Sequence, residues 1–189
     1  MDKDHWYKKE DGMYIIDLKV DSKDQLFDKK DPNPYRTKDL DDDVVEYIIS
    51  SCFDIGRSKL GTLRISVMSK ITDSDKREII HAICDYFEYR KQISSKNLRA
   101  ILSIGLKSFF IGLLFLSFSI YLSNYLSKIS SDIFFKSFIK EGFLLLGWVS
   151  MWKPINIFLY EWWPIRENIR LFTVLAQVNV SIDESSKDM

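Results

Sequence analysis

The sequence predicts an α+β membrane protein: a small cytoplasmic α/β domain, built β-α-β-α with an added C-terminal strand, on a two-helix transmembrane hairpin. Three observations predict it. Ser108 to Ser127, SFFIGLLFLSFSIYLSNYLS, carries no charge over twenty positions, and a helix rising about 1.5 Å per residue crosses a hydrocarbon core of about 30 Å in that length. A second apolar stretch runs from Gly142 to Tyr160 and is interrupted only by Lys153-Pro154. The first hundred residues hold most of the charge and switch between strand-like and helix-like apolar spacing. The organisation expected is a cytoplasmic α/β domain over 1–98 and a hairpin over 99–163, with spans at about 101–126 and 142–161. A C-terminal helix and strand over 164–189 would return to the first domain.

Met13 to Val20, MYIIDLKV, is rich in β-formers and partly alternates, which predicts a strand. Asp31-Pro32-Asn33-Pro34 predicts a turn, because each proline fixes φ and restricts the residue before it. A helix should follow, with Asp41, Asp42 and Asp43 in its first turn, where carboxylates interact well with the helix dipole. Val44, Ile48, Cys52 and Ile55 share its apolar face, and Gly56 is placed to cap its end. Thr62 to Met68, TLRISVM, alternates as a second strand, so strand-helix-strand implies a parallel pair. The next helix is expected to open at Asp75, with Glu78 three residues on in a capping-box-like pattern. Ile79, Ile80, Ile83 and Phe87 are its apolar face. It either breaks at Ser94-Ser95 or runs on through Arg90 and Lys96 and couples the domain to the first span. After Pro164, IRENIRLFTVLA predicts an amphipathic helix, and the alternating Val178, Val180 and Ile182 predict a third strand completing the sheet.

A buried core helix is the competing reading of the first apolar stretch, but so small a domain has little core in which to bury a helix that is apolar all round. The second stretch either spans with a kink at Pro154 or re-enters. Lys153 falls just beyond its middle, where an ammonium costs about 2.5–3.5 kcal/mol on insertion scales unless it snorkels. Arg90, Lys91, Lys96, Arg99 and Lys107 flank the first span and Arg166 and Arg170 follow the second, against Lys128, Lys136 and Lys140 in the connection. The positive-inside rule then puts both termini in the cytoplasm. Trp162 and Trp163, beside Arg166, read as interfacial anchors. Gly105, Gly112 and Ser119 recur every seven residues on one face, and Gly147 and Ser150 offer a matching small face. An antiparallel hairpin is expected to pair Lys107 with Glu161 and to bring Lys153 near Ser117 and Ser119. The polar N-terminus, MDKDHWYKKEDG, predicts no cleavable signal peptide.

Balanced charge, 27 Lys+Arg against 27 Asp+Glu, argues against a nucleic-acid binder. Cys52 and Cys84 are too sparse for a disulfide scaffold, and each reads as a small apolar helix residue before a nucleophile. His5 and His81 stand apart, and no His/Cys set has metal-ligand spacing. Asp41, Asp42 and Asp43 point in different directions on a helix, which favours a solvated helix start over a cation site. Seven glycines offer no phosphate-cradling loop. No cofactor, no metal and no catalytic group is therefore expected. Asp31, Arg36 and Asp39 around the double-proline turn form either a salt-bridged turn or a docking surface.

Two stretches carry a resemblance. Asp31 to Ser51, DPNPYRTKDLDDDVVEYIISS, has an Asp-Pro-x-Pro-aromatic, Asp-Leu-Asp, Tyr-Ile pattern, and Phe158 to Phe172, FLYEWWPIRENIRLF, has Glu-Trp-Trp-Pro-x-Arg. Together they resemble a group of small bacterial two-transmembrane-helix proteins of unassigned function, and the resemblance extends over roughly the whole chain. It implies no activity. Glu167 and Asn168 stand where such sequences continue with arginine, which departs from a basic lipid-binding patch.

The function expected is a non-enzymatic interaction or scaffold protein in the bacterial inner membrane, with the lipid bilayer, a protein partner and further copies of itself as its contacts. The alternatives are an oligomeric effector or gated pore with a polar path at Lys153, Ser117, Ser119 and Ser123, and a membrane-bound enzyme.

Overall fold

The computed structural model describes residues 6–10, 12–33, 38–129 and 133–184. The chain divides into two units, Met1–Ile93 with Asn168–Met189, and Ser94–Glu167. The second is thus an insertion in the first.

The first unit is a four-stranded sheet with helices. Strand β1 (Lys9–Glu10) pairs antiparallel with β2 (Met13–Val20), β2 pairs parallel with β3 (Leu60–Val67), and β3 pairs parallel with β4 (Asn179–Glu184). The parallel pairing of the two sequence-predicted strands and the return of the C-terminal strand are both present. The short β1 was not foreseen. It has two residues and no apolar alternation, and it forms because Gly12, at φ +80, lets the chain double back.

Helix α1 (Asp42–Ile55) starts where the Asp41 carboxylate accepts the Asp43 N–H at 3.1 Å, and stops at Gly56, whose φ of +94 few other residues adopt. Helix α2 (Asp73–Ile129) runs 57 residues without a break at Ser94-Ser95. Two serines cost little in a helix and contain neither Gly nor Pro. Its start also differs from expectation. Thr72, not Asp75, is the cap: Thr72 Oγ1 accepts the Asp75 N–H at 3.2 Å, while Asp75 Oδ2 accepts the Thr72 N–H at 3.0 Å. The Lys23 ammonium donates to Asp75 at 2.7 Å, and these bonds hold the Asp75 carboxyl down at about 2.

Strands β2, β3 and β4 lie side by side in chain order. Crossovers of one hand between strands in that order put every helix on the same face. The core agrees. Ile16, Leu63, Ile65, Val67 and Val180 of the sheet pack with Ile48 and Cys52 of α1, Ile83 and Phe87 of α2, and Leu171, Phe172 and Leu175 of α5 (Trp162–Ala176). Phe87 and Phe172 stack at 6.3 Å, with the Arg90 guanidinium 5.6 Å over Phe172. The other face carries Arg64, Asp17, Ser66, Ser181 and Asp183 together with the buried Ile15.

The second unit is an antiparallel helical hairpin. Its first arm belongs to α2. Its second arm is α3 (Ile133–Ser150), the short α4 (Trp152–Asn156), a π-helical turn (Ile157–Glu161) and the start of α5. Pro154 has no N–H to give the Ser150 carbonyl, so the α-helical ladder is interrupted at Met151. The two arms provide two helices long and apolar enough to cross a membrane, Asp73–Leu126 and Phe134–Ala176, with mean hydropathy 2.0 and 1.3 in their most apolar windows.

Candidate functional sites

In the hairpin, small residues set the approach of the arms. A Cβ on Gly105 would meet Ile157 at 2.7 Å, one on Gly112 would meet the Ser150 carbonyl oxygen at 2.9 Å, and one on Gly147 would meet Leu116 at 2.5 Å. Ser119 is buried beside Gly147. Ser150 Oγ donates its one proton to the Gly147 carbonyl at 2.6 Å, with the Gly112 carbonyl a second acceptor at 3.2 Å. Of the small stripe, Gly112 and Ser119 therefore face Ser150 and Gly147, while Gly105 faces Ile157.

These contacts fix the register, and the register overturns two expectations. Gly105 is level with Ile157 and Gly112 with Ser150. Lys153, three past Ser150, is then level with Phe109, not with Ser117 and Ser119. Glu161, four past Ile157, is level with Ile101, six residues from Lys107. Lys107 also lies two residues from Gly105, about 200° around the helix, so it points away from the second arm. Lys107 and Glu161 do not pair. The error came from aligning the ends of the apolar stretches, whereas the glycines decide how the arms slide.

Glu161 has another partner. Lys153 Nζ lies 3.2 Å from Glu161 Oε1, and Asn156 Nδ2 donates to the same oxygen at 2.7 Å. Residues 156 and 161 are five apart, the spacing that a π-helical turn stacks. The turn, Pro154 just before it, and the Lys153–Asn156–Glu161 cluster form one local unit. Asn156 escaped sequence reading because an i,i+5 pair has no meaning in an α-helix. The interruption by Pro154 was the available signal.

Within one chain, Lys153 and the serines Ser117, Ser119 and Ser123 are not brought together. Ser117 Oγ donates to its own helix at Leu113 (2.8 Å), Ser123 Oγ donates to the Lys140 carbonyl (3.4 Å), and Ser119 and Ser123 are buried between the arms. Trp162 Nε1 donates to the Phe158 carbonyl at 2.7 Å, stacks on Trp163 at 6.3 Å and carries the Arg166 guanidinium 5.7 Å above its ring.

In the α/β unit, the sheet face opposite the helices centres on Arg64. Its guanidinium reaches Glu10 at 2.7 Å, Asp183 at 3.6 Å and Asp17 at 3.8 Å, one carboxylate from each of the other three strands. Ser181 Oγ, on the same face, is buried and makes no hydrogen bond to the described residues. Arg64 was missed because a charge in mid-strand looks like ordinary polar alternation; its carboxylate partners are 54, 47 and 119 residues away in sequence.

At the proline turn, Asp31 Oδ2 accepts the Asp39 N–H at 2.7 Å and Oδ1 accepts the Asn33 N–H at 3.0 Å. Those two backbone bonds hold the Asp31 carboxyl below the usual carboxylate range. Asp31 thus closes the loop, and Arg36 lies outside the described residues. A cavity of about 400 Å³ beside this loop is lined by Asn33, Lys38, Asp39, Asp85, Tyr86 and Tyr89, among others. Burial pushes the Cys52 thiol up to about 11 and the Cys84 thiol up as well. His81 sits exposed on α2, and His5 lies outside the described residues. Among the described residues no group of His, Cys, Asp and Glu is placed to hold a metal ion.

The chain matches no protein-family model, no curated protein and no solved structure.

Proposed function

We propose that this chain is a bacterial inner-membrane protein whose hairpin spans the bilayer and holds the α/β unit, with both termini, on the cytoplasmic side as a non-enzymatic interaction module. The observation that carries the reading is the exposure of the hairpin's largest apolar side chains. Leu114, Trp152 and Phe134 are 74, 75 and 81 % exposed, and Ile111, Leu145, Phe138 and Val149 are exposed with them. Water does not tolerate an apolar surface of that extent on a monomer, and lipid does.

The register supports the dimensions. Trp163 is level with Arg99 and Arg166 with Lys96, while Lys128 is level with Phe134 at the other end. Position 99 to position 128 is 29 residues, about 44 Å of helix, against about 40–45 Å for a bilayer with its headgroups. Lys153 then falls inside the apolar layer, and its ammonium turns toward Glu161 on the cytoplasmic side, which is snorkelling onto an internal counter-ion. The chain is read with the small two-helix membrane proteins that its Asp-Pro-x-Pro and Glu-Trp-Trp-Pro stretches resemble. The polar sheet face around Arg64, which carries no helix, is the part of the α/β unit offered to a protein partner.

Alkaline carbonate extraction and protease protection in spheroplasts test the anchoring. Retention in the membrane pellet, with tags at both ends cut only after permeabilisation, is expected. Release into the carbonate supernatant, or cleavage of either tag from outside, overturns it. For the interaction, a photo-cross-linking residue at Ser66 should give a discrete adduct that Arg64→Glu removes. Identical labelling with and without Arg64→Glu would count against the sheet face as the docking surface.

A further inference from the structure

We infer that the hairpins associate with one another, and that Glu161 of one copy pairs with Lys107 of the next. This rests on the membrane reading above. Between Arg99 and Lys128 the first arm has one charged residue, Lys107, and between Glu141 and Arg166 the second arm has two, Lys153 and Glu161. Two ammonium groups therefore share one carboxylate. Lys153 and Asn156 both engage Oε1 of Glu161, and Oε2 accepts no hydrogen bond from the described residues. Lys107 is exposed and makes no ion pair or hydrogen bond among the described residues. A lone cation in the apolar layer is unfavourable, and such groups pair wherever a counter-charge is in reach.

Within one copy Glu161 is out of reach of Lys107, because Lys107 faces away from the second arm. A neighbouring copy removes that obstacle. The level of Glu161 lies six residues, about 9 Å, from that of Lys107. Side chains lean toward the N-terminus of their own helix. On the first arm that lean carries Lys107 toward the cytoplasmic end, and on the antiparallel second arm it carries Glu161 away from that end, so the two converge. Arg99, where the first arm meets the headgroups, is eight residues or about 12 Å from Lys107, farther than Glu161. The occupant of the Lys107 face is accordingly a second copy of this chain, by charge complementarity at matched depth. Because the Lys107 face and the Glu161 face differ, the contact is heterologous and repeats into a ring or a chain, not a two-fold dimer.

The test uses the full chain reconstituted into phosphatidylcholine vesicles as an equal mixture of unlabelled and nitrogen-15-labelled protein. A zero-length carbodiimide is added, and cross-linked peptides are read by mass spectrometry. A Lys107–Glu161 adduct with one light and one heavy peptide is expected. Lys107→Glu and Glu161→Lys should each lower the cross-linked oligomer at least tenfold, and the double exchange should restore it. Circular dichroism of each variant confirms that the α/β unit is folded. Protein that floats with the vesicles but gives no mixed-isotope adduct, or a double exchange that does not restore the oligomer, overturns the pairing and leaves the anchoring intact. An oligomer that Lys107→Glu leaves unchanged, with weaker adsorption to phosphatidylglycerol vesicles, assigns Lys107 to lipid phosphate and overturns it equally. Protein that does not float with the vesicles removes both.

Discussion

The α/β unit and the hairpin are built from the same side chains used in opposite ways. In the first, Phe87, Ile65 and Leu171 are buried against a sheet, and charge is confined to the surface. In the second, Leu114, Phe134 and Trp152 face outward, while the buried positions are mostly small, Gly105, Gly112, Gly147, Ser119 and Ser123, with Pro154 and Ile157 the larger exceptions. A water-facing unit hides its apolar groups because that is its main source of stability. On the proposed membrane reading, the hairpin would gain little from hiding them and would rely on close packing of small residues and on hydroxyl-to-carbonyl contacts such as Ser150 to Gly112.

The sharpest break between the two modes comes from truncating the largest groups. Phe87→Ala should destabilise the α/β unit by about 3–5 kcal/mol in urea unfolding, since Phe87 is fully buried and stacked on Phe172. Leu114→Ala should leave that transition unmoved. The polar version of the hairpin change discriminates further. Leu114→Asp in water would be near neutral for an exposed leucine, but at the centre of a span it should cost about 2.5–3.5 kcal/mol of insertion free energy. A glycosylation-site insertion assay reads this directly, and unchanged insertion would mean that the outward face of the first arm meets water.

Gly112→Val probes the other side of the contrast. Its Cβ would meet a backbone oxygen, that of Ser150, which cannot rotate away. A loss of about 1–3 kcal/mol of hairpin stability is expected by steric trapping in bilayers, with the arms forced apart. Gly147→Ala should cost less, because the first atom its Cβ meets is the end of the flexible Leu116 side chain.

How much of this was legible follows the same division. The apolar runs and the alternating strands announce themselves through composition and period, so β2, α1, β3, the two long apolar helices and the returning β4 could be read from residues alone. The small faces around Gly105 and Gly147 were legible for the same reason, since a seven-residue repeat of small residues marks a helix face. The slide of one arm on the other was not. It depends on which glycine meets which neighbour, a pairing that no single-arm pattern contains, and an error of about six to ten residues was enough to misassign both lysines. The π-helical turn and the partners of Arg64 were hidden for a related reason. Each joins residues at spacings, five in one case and 47 to 119 in the other, that carry no local periodic signal.

The smallest expected effect is at the start of α2, where the α/β unit stabilises a long helix by a local device. Thr72→Ala removes the hydroxyl that accepts the Asp75 N–H and should cost about 1 kcal/mol. The same cap has a pH signature. The Asp75 carboxyl is held at about 2, against an ordinary 3.8, first by the Lys23 ammonium and then by the Thr72 hydroxyl and N–H. Its folded value is depressed, so its contribution is complete above about 3.8 and is lost as pH falls from there through about 2. Asp75→Asn should therefore lower Tm at pH 6, and the gap to the wild type should narrow as pH falls toward 2. Lys23→Met should reproduce part of that narrowing, because the ammonium is the larger cause of the depression. A constant gap from pH 6 to pH 2 would show that Asp75 caps the helix through its shape alone and that Lys23 adds nothing to the start of the chain's longest element.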